Sequence, residues 1–295
     1  MSELAQGRDF VHYGEQMDAS LKTKVDELLP YVQQGLIVDA GFGTGSLLEV
    51  LTKKFPKSEF VGVDISPEFI LRAKKKFAGN KKINISRGDI RFLEAYGIKD
   101  ATTVIHASIL HEVHSYNGYD ETPVHRALRS AYEVLVSGGR LLIRDGIAPS
   151  RATVALWCNN KDGKSKGKVA ELSTRAMFKK FVEEYRQGVG VLFDEAKVAG
   201  KDCYVLRARD AYEFMAKKDY RTHWDLEIHE EYGFWREREW LQALKKAGFK
   251  SVDLQEKNND WIIKNRWQGS VELYDPVSGK KLDYFPTHAV FVAEK

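Results

Sequence analysis

Short apolar runs alternate with amphipathic stretches over the first half of the chain, and their spacing predicts strands and helices in strict alternation. Ile37-Val38 ends in Asp39, and Ala40-Gly41-Phe42-Gly43-Thr44-Gly45-Ser46 follows, reading as a buried strand, a glycine loop and the opening of a helix that runs from Leu47 to Phe55. A second run, Phe60-Val61-Gly62-Val63, closes on Asp64. Ser66-Pro67 then supplies an N-cap with proline at the first helical position, and Phe69, Ile70, Ala73 and Phe77 share one helical face. Ile83 to Ile90 reads as a third strand with Asp89 just beyond its end, Thr102 to Ala107 as a fourth, and Pro123 to Val136 as a helix. Gly138-Gly139 turns into a fifth strand ending at Asp145. Near the C-terminus, Trp235 to Ala247 predicts a helix stopped by Gly248, and Ser251 to Gln255 and His288 to Ala293 predict two more strands.

The acidic residues at the strand ends give this pattern its chemistry. Glycines remove Cβ atoms where a backbone must turn sharply and approach a ligand, although a glycine turn with no ligand fits the loop equally well. Asp64 lies about 20 residues past the loop, where a carboxylate can accept hydrogen bonds from both hydroxyls of a ribose. A carboxylate at Asp89 can face an adenine amino group. A dinucleotide-binding dehydrogenase wants Gly-x-Gly-x-x-Gly or Ala, and counting from Gly41 its third position falls on Ser46. Asp39 also disfavours a neighbouring pyrophosphate, because like charges in a poorly hydrated site repel. It suits an ammonium.

In order along residues 36–146, Asp39-x-Gly41-x-Gly43-x-Gly45, Asp64, Gly88-Asp89-Ile90, Ser108 to Val113 and Ser137 to Asp145 resemble the class I S-adenosylmethionine-dependent methyltransferases. The resemblance implies an α/β fold: a seven-stranded, mostly parallel Rossmann-like sheet with an antiparallel last strand, helices on both faces, and a largely helical insert after strand five. It implies S-adenosyl-L-methionine as cofactor, held by Tyr13, Asp39, Gly41, Gly43, Gly45, Asp64, Ile65, Asp89, Ile90 and Ala107. Tyr13 either faces the sulfonium through a cation–π contact or is an exposed leader residue. Residues 1–35 are expected to form an N-terminal helical lid, 36–146 and 233–295 the cofactor-binding core, and 147–232 a substrate-recognition insert.

His111, Glu112 and His114 follow the fourth strand, where the family lines its methyl-transfer channel. A histidine there can take a proton near neutral pH, with Glu112 orienting it or binding a cationic acceptor, or can simply pack against adenine or cap a turn. No further Cys or closely spaced His completes a metal-ligand set, so none is expected. The segments His223 to Asp225 and His229 to Trp235 read either as a pocket wall or as a packing hinge. Arg144 and Asp145 face the acceptor cavity of this fold or pair structurally.

Composition narrows the surroundings more than the chemistry. Hydrophobic residues at 43% and charged residues at 30% are those of a soluble globular chain, and with no long apolar run and a polar Met1 to Asp9, neither a membrane span nor a secretory signal is expected. Cys158 and Cys203 need not pair, which fits a cytoplasmic protein. Oligomeric state is left open. Net charge is +4, and basic residues concentrate between Arg151 and Arg186, either as a solvated face or as a surface attracting an anionic substrate. The leading acceptor is therefore an oxygen or nitrogen of a small molecule. The runner-up is an RNA or other nucleic acid, with the lysine-rich loop Asn159 to Lys168 on phosphate and Trp157, Phe178, Phe181 and Tyr185 stacking on bases. A cofactor-binding protein without transferase activity is the third reading.

Overall fold

The computed structural model describes residues 21–188 and 190–295, so Tyr13 and most of the expected lid lie outside the described residues. The chain divides into two compact units: one runs through Asp145 and adds 238–255 and 289–295, and the other comprises 146–237 and 256–288.

The first unit is built on a seven-stranded sheet in the order β3-β2-β1-β4-β5-β12-β9. Its strands are β1 (Leu36–Ala40), β2 (Glu59–Asp64), β3 (Ile83–Arg87), β4 (Ala101–Ala107), β5 (Leu135–Asp145), β9 (Ser251–Lys257) and β12 (His288–Glu294). β1 pairs in parallel with both β2 and β4, whereas β12 runs antiparallel to β5, as expected. Ile37, Val38, Val104, Ile105, Leu141 and Leu142 are all fully buried, because a parallel sheet is covered on both faces. That is why these strands read as continuous apolar runs.

Helices α1 (Leu21–Leu28), α2 (Ser46–Lys54), α3 (Pro67–Lys76), α4 (Leu110–Ser115), α5 (Thr122–Val134) and α8 (Glu237–Ala247) belong to this unit. α2 buries Leu47, Leu48 and Leu51, and α3 buries Phe69, Ile70 and Ala73. Ser66 caps α3 by accepting the Phe69 N–H, and Lys74, Lys75 and Lys76 in its last turn complement the helix dipole. Since β2 and β3 lie to one side of β1 and β4 and β5 to the other, connections leaving β1 and β4 diverge. A crevice at their carboxyl ends follows from that reversal.

The second unit corrects one expectation. Besides the helices expected of residues 147–232, the unit holds a five-stranded sheet in the order β11-β10-β6-β8-β7 that the expectation did not include. Its strands are β6 (Thr153–Cys158), β7 (Phe193–Val198), β8 (Lys201–Arg207), β10 (Val271–Tyr274) and β11 (Lys281–Leu282), each antiparallel to its neighbours. The helix α7 (Ala208–Lys217) starts only where β8 ends, so Lys201–Arg207 is a strand within the insert expected to be largely helical. Alternation explains the difference. Tyr204 and Leu206 bury against Val154, Leu156 and Phe181 on one face, while Cys203 joins Ala155 and Tyr274 on the other. Residues 256–288 also fall in this unit rather than in the core, because β10 pairs with β6.

The same packing removes most of the base-stacking platform. Phe178 and Phe181, on α6 (Thr174–Glu184), have no exposed surface, Tyr185 has 5%, and only Trp157 is half-buried. Asn159 to Lys168 is pinned: Asp162 accepts the Thr174 N–H at 2.9 Å and its hydroxyl at 2.6 Å, and the Lys164 N–H donates to the Glu171 carbonyl. Trp224 is buried, and its indole donates to Glu184 within the same unit. Among the described residues no helix is long and apolar enough to cross a membrane.

Candidate functional site

The site grows from the tip of β1. The Gly41 N–H donates to the Val63 carbonyl at 2.7 Å, tying the loop to β2, and the Gly43 N–H donates to Asp64 Oδ2 at 2.9 Å. Gly45, with φ of 72°, is the residue before α2. Gly41 has φ of +84°, and a Cβ there would lie 2.6 Å from Ile109 Cγ1. Both backbone and space thus require glycine. Gly41→Ala is expected to destabilise the fold by about 1–3 kcal/mol, read as a fall in Tm. An unchanged Tm would show that the loop relaxes without cost.

Asp39 is only 2% exposed, and its Oδ2 has no hydrogen-bond partner among the described residues. Burial pushes its carboxyl up to about 7, Lys24 opposing the rise and Asp64 adding to it. Asp39 is also among the residues that line an open pocket, together with Leu21, Lys24, Phe42, Thr44, Leu47 and Ala107. A buried carboxylate oxygen left without a donor is costly, so a cationic ligand group fits there.

Asp64 and Asp89 are more constrained than the sequence suggested. Asp64 accepts from Ser66 N–H and Gly43 N–H, one per oxygen; burial raises its carboxyl, and the backbone donors of Ser66, Gly43 and Ile65 oppose that rise. Asp89 gives both oxygens to Arg91, which also donates to Asn117 Oδ1 at 3.1 Å. Burial pushes the Asp89 carboxyl up, but hydrogen bonds and charge from Arg91 outweigh it and hold the carboxyl low. Ile65 is 36% exposed at the end of β2, whereas Ile90 at 6% is turned into the core. Of the two, Ile65 presents apolar surface.

Beyond β4 the chain makes a strained turn. Ser108 has φ of 59°, which a side-chain-bearing residue rarely adopts, and its N–H donates to the Arg144 carbonyl at 2.7 Å. α4 then starts against Asp145, whose Oδ2 accepts the N–H groups of Leu110 at 2.8 Å and His111 at 3.3 Å. Its Oδ1 lies 2.6 Å from His111 Nδ1, and Asp145 is 2% exposed. An acceptor on Nδ1 favours the tautomer that carries its proton there, so Nε2 is the unprotonated nitrogen of the neutral ring. His114 is on the same helix, but its ring packs edge-on against Tyr119 at 6.0 Å. Glu112 is half-buried between them in sequence. His106, fully buried under the site, has its imidazole pushed down to about 4 by burial, with the Ala40 carbonyl and Asp145 opposing. It is neutral at pH 7.

Residues 38–141 match a family model described as a methyltransferase domain. The ribosomal RNA small subunit methyltransferase H of Coprothermobacter proteolyticus is 39% identical over 66 residues, 22% of this chain and 22% of that protein. The demethylmenaquinone methyltransferase of Thermus thermophilus is 30% identical over 129 residues, 41% of this chain and 51% of that one. The chain thus spans about half, or less, of the length of these curated relatives. Among solved structures, a chain of the complex between the Haloferax volcanii Trm112 methyltransferase activator and a methyltransferase shares the fold, with a TM-score of 0.53 at 13% identity, over 100% of this chain and 98% of that one.

Proposed function

We propose that the chain, whose residues 38–141 match a methyltransferase-domain model, acts as a class I S-adenosylmethionine-dependent methyltransferase and transfers a methyl group to an oxygen or nitrogen of a small molecule. S-adenosyl-L-methionine, when bound, supplies an activated methyl on a sulfonium, so the protein's work is alignment and exclusion of water. Asp39 would hold the ammonium of the cofactor and the glycine loop its methionine end. Asp64 would take the ribose hydroxyls, and Asp89 with Ile65 the adenine.

The observation carrying the acceptor reading is the buried His111–Asp145 pair, two residues from the Ile109 side chain that packs on Gly41. His111 Nε2 accepts the proton of a hydroxyl or ammonium as that group becomes the nucleophile, and Asp145 steadies the imidazolium that results. Such a base is useful only when the acceptor atom carries a proton at working pH. Glu112 is assigned to orienting the acceptor.

RNA is the second reading, supported by the 66-residue likeness to a ribosomal RNA enzyme. Methyl-labelled cofactor offered with pools of small hydroxylated and amine compounds, and separately with RNA, tests the choice. Label is expected in the small-molecule pool with little dependence on salt. Label in RNA alone, with binding that weakens steeply between low and moderate salt, would reverse the order.

A further inference from the structure

Strand β7 is an edge of the second unit's sheet, paired with β8 on one side and, among the described residues, with no strand on the other. A two-residue turn, Ala199-Gly200, joins it to β8, and both turn residues have positive φ, 50° and 77°. The residues flanking such a turn, Val198 and Lys201, exchange backbone hydrogen bonds, and an antiparallel ladder alternates hydrogen-bonded with non-hydrogen-bonded pairs. Asp194, Ala196 and Val198 therefore turn their backbone groups toward β8. Phe193, Glu195 and Lys197 turn theirs to the open edge, and all three residues are exposed.

An open row of N–H and C=O groups is a template for another strand, and the charges on β7 select which one. A second β7 laid antiparallel about a twofold axis through Ala196 sets Glu195 opposite the other copy's Lys197, and Lys197 opposite its Glu195. These are the residues whose backbone groups face the edge, so the same two pairs can exchange backbone hydrogen bonds. Both side chains also lie on one face of the sheet, where cross-strand opposite charges attract. Moving the axis to Glu195 or to Lys197 would set like charges opposite each other, and moving it to Asp194 would leave Lys197 beyond the end of its partner strand. A lysine alone discourages pairing at an edge; in this register it meets a carboxylate.

We propose that the partner of β7 is a second copy of this chain, the two strands pairing antiparallel about Ala196 so that two five-stranded sheets become one continuous sheet. Charge complementarity of the strand with itself carries the choice of occupant. Each copy contributes one six-residue strand, so the contact is small and the dimer a weak one that forms at micromolar concentrations. This goes beyond the methyl-transfer reading and does not depend on it.

Sedimentation velocity of the full chain from about 1 to about 100 µM is expected to show a reversible monomer–dimer equilibrium, and hydrogen exchange across residues 193–198 to slow over the same range. Lys197→Glu sets carboxylates opposite each other and is expected to weaken the dimer about tenfold or more. Glu195→Lys combined with Lys197→Glu restores opposite charges, so this double variant is expected to dimerise within about threefold of wild type. It should not exchange subunits with wild type, because every mixed pair would be like-charged. A monomer at every concentration, a dimer indifferent to Lys197→Glu, or free mixing of wild type with the double variant would overturn the proposal. The exchange measurement needs no variant: a dimer whose β7 amides exchange as fast as the monomer's would overturn it as well.

Discussion

Asp39→Asn is expected to weaken S-adenosylhomocysteine binding by about 100-fold while making the ligand-free protein more stable above pH 7. The carboxyl rises from 3.8 to about 7 on folding, chiefly through burial. A group raised in this way contributes stability fully present below its unfolded value and lost as pH climbs through its folded value. The loss amounts to about 4 kcal/mol at most, since one unit is about 1.4 kcal/mol. Asparagine keeps the shape and omits the charge, so the gain in Tm should grow from about pH 4 to about pH 7 and then level off. Wild-type affinity should fall as pH drops below about 7, because a proton then competes with the ligand's ammonium. Melting curves and ligand titrations across that window check both halves. A variant that loses stability at pH 8 would show that Asp39 is needed by the fold rather than by the ligand.

His111→Ala is expected to lower kcat by about 10²–10⁴-fold and leave S-adenosylhomocysteine affinity within about twofold. Asp145→Asn should fall between wild type and His111→Ala in rate, and should also cost about 1 kcal/mol of stability because Asp145 caps α4. His114→Ala should change kcat little, since its ring packs on Tyr119. Single-turnover rates for the three variants rank these roles. A His111→Ala enzyme with full kcat would remove the base and favour an acceptor already unprotonated at working pH.

Much of the strand–loop–helix framework was legible in the sequence, because a buried parallel strand closing on an acid and followed by glycine is a strong local signal. Asp39 is the penultimate residue of β1, Asp64 ends β2 and Asp89 lies two residues beyond β3. Their surroundings were not legible. That Arg91 occupies both oxygens of Asp89, or that Ile90 turns inward while Ile65 stays exposed, depends on packing that local pattern does not encode. Lys24 reads in the sequence as one lysine on an amphipathic helix, and only the fold places it beside Asp39. The second sheet was missed for a different reason. Lys201 to Arg207 runs without a break into the helical Ala208 to Lys217, and the partner of β6 in β10 lies more than a hundred residues away. Phe178 and Phe181, read as candidates for stacking on bases, instead complete the core against that sheet.

The most direct measurement is a calorimetric titration of the full chain with S-adenosylhomocysteine at pH 8, beside Asp39→Asn. One site per chain with Kd in the micromolar range, lost in the variant, is the expected result. No binding, or binding of equal strength in Asp39→Asn, would contradict the assignment of this loop and its buried carboxylate to a methyl donor.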